Sequence, residues 1–312
     1  MADLDMADLE LFTRNPANPI LKASDIPFPC KAVCNPAAAM VDGETLLLLR
    51  VIDSEDHSSL VVARSTNGVD GWRFDPEPLL APCPDPEWYE TLGCEDARLT
   101  WIEEIQSWAV VYVGASGQGA GVCLALTNDF KTVVRRGLMI HPYNKDAVLF
   151  PRQIGGRYLM LHRPTAGPLE NIWISGSDDL RHWGNPRCVL EESDQPGWYS
   201  GKVGAGPPPI ETPEGWLLIF HGVMLEENGW LYRVGAALLD LEDPSKLIAK
   251  IPTWILGPTK PYELRGEQPG VIFPTGTTLN DGVISMYYGA ADTTVALATA
   301  KLKDLMAAMQ KV

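Results

Sequence analysis

The feature that most constrains this chain is an internal repeat. A short apolar run ending in a polar turn occurs five times. The copies are Val62-Ala-Arg-Ser-Thr-Asn-Gly68, Leu124-Ala-Leu-Thr-Asn-Asp129, Ile174-Ser-Gly-Ser-Asp-Asp179, Ala237-Leu-Leu-Asp-Leu-Glu-Asp243 and Leu297-Ala-Thr-Ala-Lys-Leu-Lys303. Anchored on Thr66, Thr127, Ser177, Asp240 and Lys301, they stand 61, 50, 63 and 61 residues apart. A fixed period of that size marks a repeat architecture. Two further series keep the same phase. One holds small or apolar residues behind a polar or turn residue: Asn35–Met40, Asp96–Thr100, Asp146–Phe150, Gly204–Pro207 and Pro269–Phe273. The other holds strand-like runs: Thr45–Arg50, Trp108–Val113, Tyr158–Arg163, Trp216–His221 and Val283–Tyr288. Turns such as Asp42-Gly43, Gly155-Gly156 and Asp281-Gly282 bound them.

Five strand-rich units predict an all-β chain, a single-domain five-bladed β-propeller over residues 1–312. A β-sandwich would not repeat five times, and a β-helix would need a much shorter period. Only the chain ends, 2–12 and 302–311, read as short helices. The glycine-rich Gly114–Gly121 lacks a phosphate-loop Lys and reads as a turn between strands.

In a propeller the small-residue strands line the axis. Their leading polar residues then meet around one mouth: Asn35, Glu95 and Asp96, Lys145 and Asp146, Lys202 and Glu267. The third series delivers Arg50, Arg163 and His221 to the same rim, and Asp292 follows the last strand. The bland alternative is that these charges only bridge neighbouring blades. Charges beside apolar strands are costly unless paired, so their convergence favours a site. Arg163, Lys202 and His221 suit an anion such as phosphate. Asp96 suits a general acid, with Glu95 expected to raise its pKa by like-charge repulsion. Trp88, Tyr89, Trp198 and Tyr199, on the loops 82–91 and 193–200, could stack on a sugar or simply pack.

Composition narrows the partners. The 312 residues carry a formal charge of −15, which disfavours nucleic acid and anionic membranes. No apolar stretch is long enough to span a bilayer, and Met1–Phe12 lacks a basic leader region, so a cytoplasmic protein is expected. The six cysteines show no metal spacing and read as reduced thiols. Without a Rossmann glycine pattern, a phosphate loop or a zinc-binding helix motif, neither a nucleotide cofactor nor a metal is expected. No sequence feature marks an interface, and a homo-oligomer is compatible with the sequence.

The motifs Asn35-Pro-Ala-Ala38, Cys94-Glu-Asp-Ala-Arg98, Asn144-Lys-Asp-Ala-Val-Leu-Phe-Pro151, Met160-Leu-His-Arg-Pro164, Lys202-Val-Gly-Ala-Gly-Pro-Pro-Pro209, Phe220-His-Gly222, Phe273-Pro-Thr-Gly276 and Tyr288-Gly-Ala-Ala-Asp292 resemble those of glycoside hydrolase family 130. They stand in the family's order across roughly residues 15 to 300. The resemblance implies a five-bladed propeller acting on β-mannosides. It implies inverting phosphorolysis to α-mannose 1-phosphate, with inorganic phosphate as co-substrate and no cofactor. By position Asp96 matches the catalytic acid, whose proton is relayed through the mannose 3-hydroxyl. Asn35, Arg50 and Asp292 match the mannosyl subsite, with Glu95 beside them. Asn144, Arg163, Lys202, His221 and Tyr232 match the region that binds phosphate and the acceptor sugar. Where many relatives carry a basic residue before Asn144, this chain has Tyr143.

An inverting hydrolase would need a second carboxylate to activate water. Phosphate needs cations instead, and Arg163, Lys202 and His221 supply them. A phosphorylase is therefore the leading expectation. An inverting β-mannosidase using Glu95 or Glu267 as base, and a non-catalytic sugar-binding propeller, are the alternatives.

Overall fold

Side chains of the polar turn explain why the first four copies end a strand, whereas the fifth runs into a helix. In the second copy Asp129 accepts the N–H groups of Lys131 and Thr132, and Thr127 Oγ1 accepts that of Phe130. Asn67, Asp179 and Asp240 likewise accept the N–H groups two and three residues further on. Such side chains supply the chain reversal locally, before any tertiary contact forms.

A computed structural model describes residues 10–85, 89–193, 197–227 and 229–312. The chain enters as β1 (Thr13–Arg14). The first meander is β2 (Ala32–Val41), β3 (Glu44–Ile52), β4 (Ser58–Ser65) and β5 (Arg73–Phe74). The second is β6 (Gly93–Ile102), β7 (Ser107–Ser116), β8 (Gly119–Thr127) and β9 (Val134–Ile140). The third is β10 (Asn144–Leu149), β11 (Tyr158–Pro164), β12 (Ile172–Ser177) and β13 (Gly184–Leu190). The fourth is β14 (Lys202–Ala205), β15 (Ile210–Thr212), β16 (Gly215–Glu226), β17 (Gly229–Leu239) and β18 (Leu247–Lys250). The last is β19 (Ile272–Asn280), β20 (Val283–Ala290) and β21 (Thr294–Lys301), and β22 (Gln310–Lys311) ends the chain.

Pairing within each meander is antiparallel, and one parallel pair, Ser58 with Gly93, joins the first two into a single sheet. The last meander takes its fourth strand from the other end of the chain, because β1 pairs with β21. β22 adds to β18, so both ends of the described chain are tied into sheets. The apolar clusters lie between meanders. Leu48 and Ala37 pack with Val110 and Leu99, and Leu149 and Met160 with Val111 and Leu124. Phe150 packs with Trp216, Ile219 with Met286, and Tyr287 and Leu297 with Leu47 and Val61. The last cluster joins the final meander to the first, so the sharing of cores runs in a circle.

The helices differ from expectation. The C-terminal one is α2 (Leu302–Ala307), shorter than 302–311 because β22 follows it. A one-turn helix, α1 (Pro261–Leu264), lies in the linker before β19, where Glu263 caps it and pairs with Arg14. The expected N-terminal helix falls largely outside the described residues, and Glu10–Phe12 is not helical. Residues 114–121 are a hairpin end, as read from the sequence. None of the six cysteines forms a disulfide. Among the described residues no helix is long and apolar enough to cross a membrane.

Candidate active site

One backbone device builds the site. The first strands of three meanders each break register, at Cys34/Ala37, Glu95/Arg98 and Lys145/Val148. Asn35, Asp96 and Asp146 occupy the breaks with φ of 46, 48 and 51°. Asn and Asp tolerate this left-handed conformation better than other side chains, and a bulge re-aims the side chain it carries. The fifth meander departs from expectation. Its break falls at Thr275, and Glu267 is an exposed residue paired with Lys31.

The first cluster centres on Asp96. Its Oδ1 accepts from Asn35 Nδ2 at 2.8 Å and from Arg50 Nη1 at 3.1 Å. Arg50 also pairs with Glu95 Oε1 at 2.8 Å and donates to Ser58 at 2.9 Å. Asp292 stands near both Asn35 and Asp96. Gly289 fits because a Cβ there would collide with the buried Asn35 side chain.

The electrostatics reverse the sequence expectation for the acid pair. Burial raises the Asp96 pKa, but Arg50, Arg98 and the Asn35 hydrogen bond outweigh it, so Asp96 lies below the usual carboxylate range. Glu95 is the one pushed up, chiefly by burial and then by Asp96. Asp292 rises to about 6, through burial and the Asp96 charge.

The second cluster centres on Asp146, which is fully buried. Arg163 Nη2 lies 3.0 Å from its Oδ2, His221 Nε2 3.3 Å, and Arg98 Nη2 3.7 Å from its Oδ1. Burial favours its neutral form, but Arg163, His221 and Arg98 override that and hold it well below the ordinary range. Burial drives His221 down to about 4, so it is neutral at pH 7. Its ring lies near Tyr232 and Phe273, at 5.7 and 4.7 Å between centroids. Gly204, within the Lys-x-Gly-Ala-Gly-Pro-Pro-Pro run, is where Asp146 and His221 rest. A Cβ there would overlap both.

Lys202 completes this cluster from the solvent side. Its Nζ lies 5.0 Å from the Trp230 ring and 5.4 Å from that of Tyr232. It makes no ion pair among the described residues, and its pKa is lowered by burial and by Arg163. Arg98 connects the clusters. It donates to the backbone oxygen of Asp96 at 2.6 Å, and to Ala205 and Gly206 across the molecule at 3.2 and 3.3 Å.

Asn144 shares its strand with Asp146, and its side chain is tied to His162. Its Oδ1 lies 3.2 Å from His162 Nδ1, and His162 in turn reaches Ser175 at 2.9 Å. Trp198 stacks on Phe220, and Tyr199 takes a hydrogen bond from Lys250, so both pack within the fourth meander. Trp88 lies outside the described residues. Sequence reasoning gave no role to Arg98, Asp146, Glu170 or Trp230. Asp146 had a signal, its phase with Asn35 and Asp96, but a search for anion-binding cations passes over a carboxylate.

A family model described as β-1,4-mannooligosaccharide phosphorylase matches residues 14–311. The chain is 37% identical over 284 residues to a 1,2-β-oligomannan phosphorylase of Thermoanaerobacter sp. strain X514, covering 88% of this chain and 91% of that one. It is 39% identical over 254 residues to a β-1,2-mannobiose phosphorylase of Listeria innocua, covering 80% and 69%. The solved structure of Listeria innocua β-1,2-mannobiose phosphorylase with β-1,2-mannobiose superposes with a TM-score of 0.86 at 30% identity, covering 95% and 98%.

Proposed function

This chain belongs to glycoside hydrolase family 130, and we propose that it is an inverting β-mannoside phosphorylase built as a single five-bladed propeller. The circular sharing of core clusters and the pairing of β1 with β21 support the closed ring. The reaction is phosphorolysis of a β-1,2- or β-1,4-linked mannoside, releasing α-mannose 1-phosphate and a shortened sugar. Inorganic phosphate is the co-substrate, and no cofactor takes part.

The observation that carries this reading is the separation of charge. A carboxylate cluster at Asp96 faces a cation cluster at Arg163 and Lys202, with Arg98 between them. Phosphate attacking the anomeric carbon is already an anion, so the protein has only to hold it in line and offset its charge. Arg163 and Lys202 do that, with Tyr232 and the neutral His221 as uncharged neighbours. Asn35, Arg50 and Asp292 hold the mannosyl unit, beside Glu95.

Asp96 is the acid for the leaving oxygen. In the free chain its proton is disfavoured by Arg50 and Arg98. A mannoside that takes up Arg50, and a phosphate that offsets the positive charge around Arg98, both raise its proton affinity. The acid is thus armed by its substrates.

The two bases named for the hydrolytic alternative are both engaged elsewhere. Glu95 adjoins Asp96 on the same strand and is tied to Arg50, and Glu267 is an exposed rim residue. The deciding experiment supplies α-mannose 1-phosphate and a panel of acceptor sugars, following phosphate release. Acceptor-dependent release is expected, and the product linkage names the substrate. Phosphate-independent release of mannose from β-mannosides, without that activity, would refute the reading.

A further inference from the structure

The cation cluster carries two carboxylates that differ in one physical respect. Asp146 is sealed inside and touches Arg163, His221 and Arg98. Glu170 comes from the loop between β11 and β12, and its side chain is 25% exposed. The Glu170 backbone is fixed, because Val203 N donates to its carbonyl at 2.9 Å, beside Lys202. Its Oε2 lies 3.4 Å from Arg163 Nε. That Nε is buried and makes no hydrogen bond, so the contact is a charge pair without a formed bond. Glu170 is therefore anchored by its backbone and loosely held by its head group.

Arg163 is 2% exposed, and Asp146 already occupies its Nη2 edge. The Nε edge is where an entering anion would find an unused donor, and Glu170 lies against it. Lys202, the other cation an anion would meet, also feels the Glu170 charge. Two anions at one guanidinium edge repel each other, and only Glu170 has solvent to retreat into.

We propose that Glu170 is an internal stand-in for phosphate, a carboxylate that neutralises the Arg163 edge in the empty site and is displaced when inorganic phosphate or a sugar phosphate binds. This rests on the anion site proposed above. Its consequence is a phosphate affinity set below what the cations alone would give, since the competent state must first be opened. The same competition speeds departure of mannose 1-phosphate, because a counter-ion waits beside the site.

The test titrates inorganic phosphate into the wild-type chain, Glu170→Gln, Glu170→Ala and Lys202→Ala by calorimetry, alongside KM for phosphate in phosphorolysis. Removing the Glu170 charge should tighten phosphate by up to roughly fivefold, the scale of a partly exposed ion pair. KM should fall with it, and kcat should change far less than KM. Lys202→Ala should weaken phosphate. Glu170 variants that bind phosphate no tighter, or more weakly, would overturn the proposal while leaving the anion site standing if Lys202→Ala still weakens binding. If neither Glu170 nor Lys202 variants shift phosphate binding, the anion site itself lies elsewhere.

Discussion

Adding one methyl group at Gly204 should disable the anion site. The backbone there is ordinary for an L-residue, since Gly204 is absent from the positive-φ positions, so the effect is one of space alone. A Cβ at 204 would lie 2.5 Å from His221 Nε2 and closer still to Asp146 Oδ2. Restoring a 3.4 Å contact moves the ring about 0.9 Å and the carboxylate by about 1 Å or more. Stretching the Asp146–Arg163 pair from 3.0 Å to about 4 Å loses about 1.4 kcal/mol at an effective dielectric near 20. Overpacking of the surrounding core adds about 1–3 kcal/mol. Gly204→Ala should therefore lose about 2–4 kcal/mol, seen as a drop of roughly 3–6 °C in Tm. Because Arg163 loses the close counter-ion that holds it in place, KM for phosphate should rise roughly tenfold or more. The control is Gly184→Ala on β13, where an added Cβ meets nothing within 4 Å. Scanning calorimetry and initial rates against phosphate measure both effects. A Gly204→Ala chain that melts with the wild type and keeps its phosphate KM would refute the packing of Asp146 and His221 on that glycine.

Three other expectations follow from the same geometry. Asp96→Asn should lower kcat by about 10²–10⁴ while the mannoside still binds, which single-turnover and binding measurements separate; retained turnover would remove Asp96 as the acid. Acid should destabilise the fold between pH 6.5 and 4, because His162 and His221 titrate near 4 when folded and near 6.5 when free. The unfolded chain binds the extra protons in that window, so stability is complete above it and falls by about 3 kcal/mol per histidine as pH drops through it. A Tm that stays flat from pH 7 to about 4.5 would contradict this. Asp292→Asn should melt higher than wild type at about pH 8 and equal to it near pH 4, since the folded pKa of about 6 penalises folding only where the carboxylate is ionised; an unchanged Tm at both values would show that its burial is not costly.

The repeat was legible because its turn is a local device. Asn67, Asp129, Asp179 and Asp240 close their turns with their own side chains, so the signal needs no distant partner. The rim residues were legible for a related reason, since the bulge recurs in phase with that turn. The less regular parts depend on long-range packing. α1 is fixed by Glu263 pairing with Arg14, 249 residues away, and no local pattern announces it. The relative pKa of Glu95 and Asp96 turns on Arg50 and Arg98, whose distances no one-dimensional reading supplies. Glu170 sits in a loop outside the repeat, so phase says nothing about it.

The two central carboxylates have the same place in the repeat, and their different uses follow from what stands beside them. In the first and third meanders the second strand sets an arginine against the residue before the bulge, pairing Cys34 with Arg50 and Lys145 with Arg163. The second meander has Val113 opposite Glu95. Asp96 therefore has no cation on its own neighbouring strand and borrows Arg50 from the meander before it, sharing it with Glu95. Asp146 has Arg163 from its own meander and His221 from the next, with no competing acid on its own strand. A shared counter-ion at a half-open rim can be drawn away by a sugar hydroxyl, which lets Asp96 change protonation. One held in a sealed core cannot, so Asp146 stays ionised and holds Arg163 by its Nη2 edge. This also explains how a chain of formal charge −15 can hold phosphate. Exposed carboxylates are screened beyond about 8 Å at physiological salt, whereas Arg163 and Arg98 act from a buried, weakly screened interior.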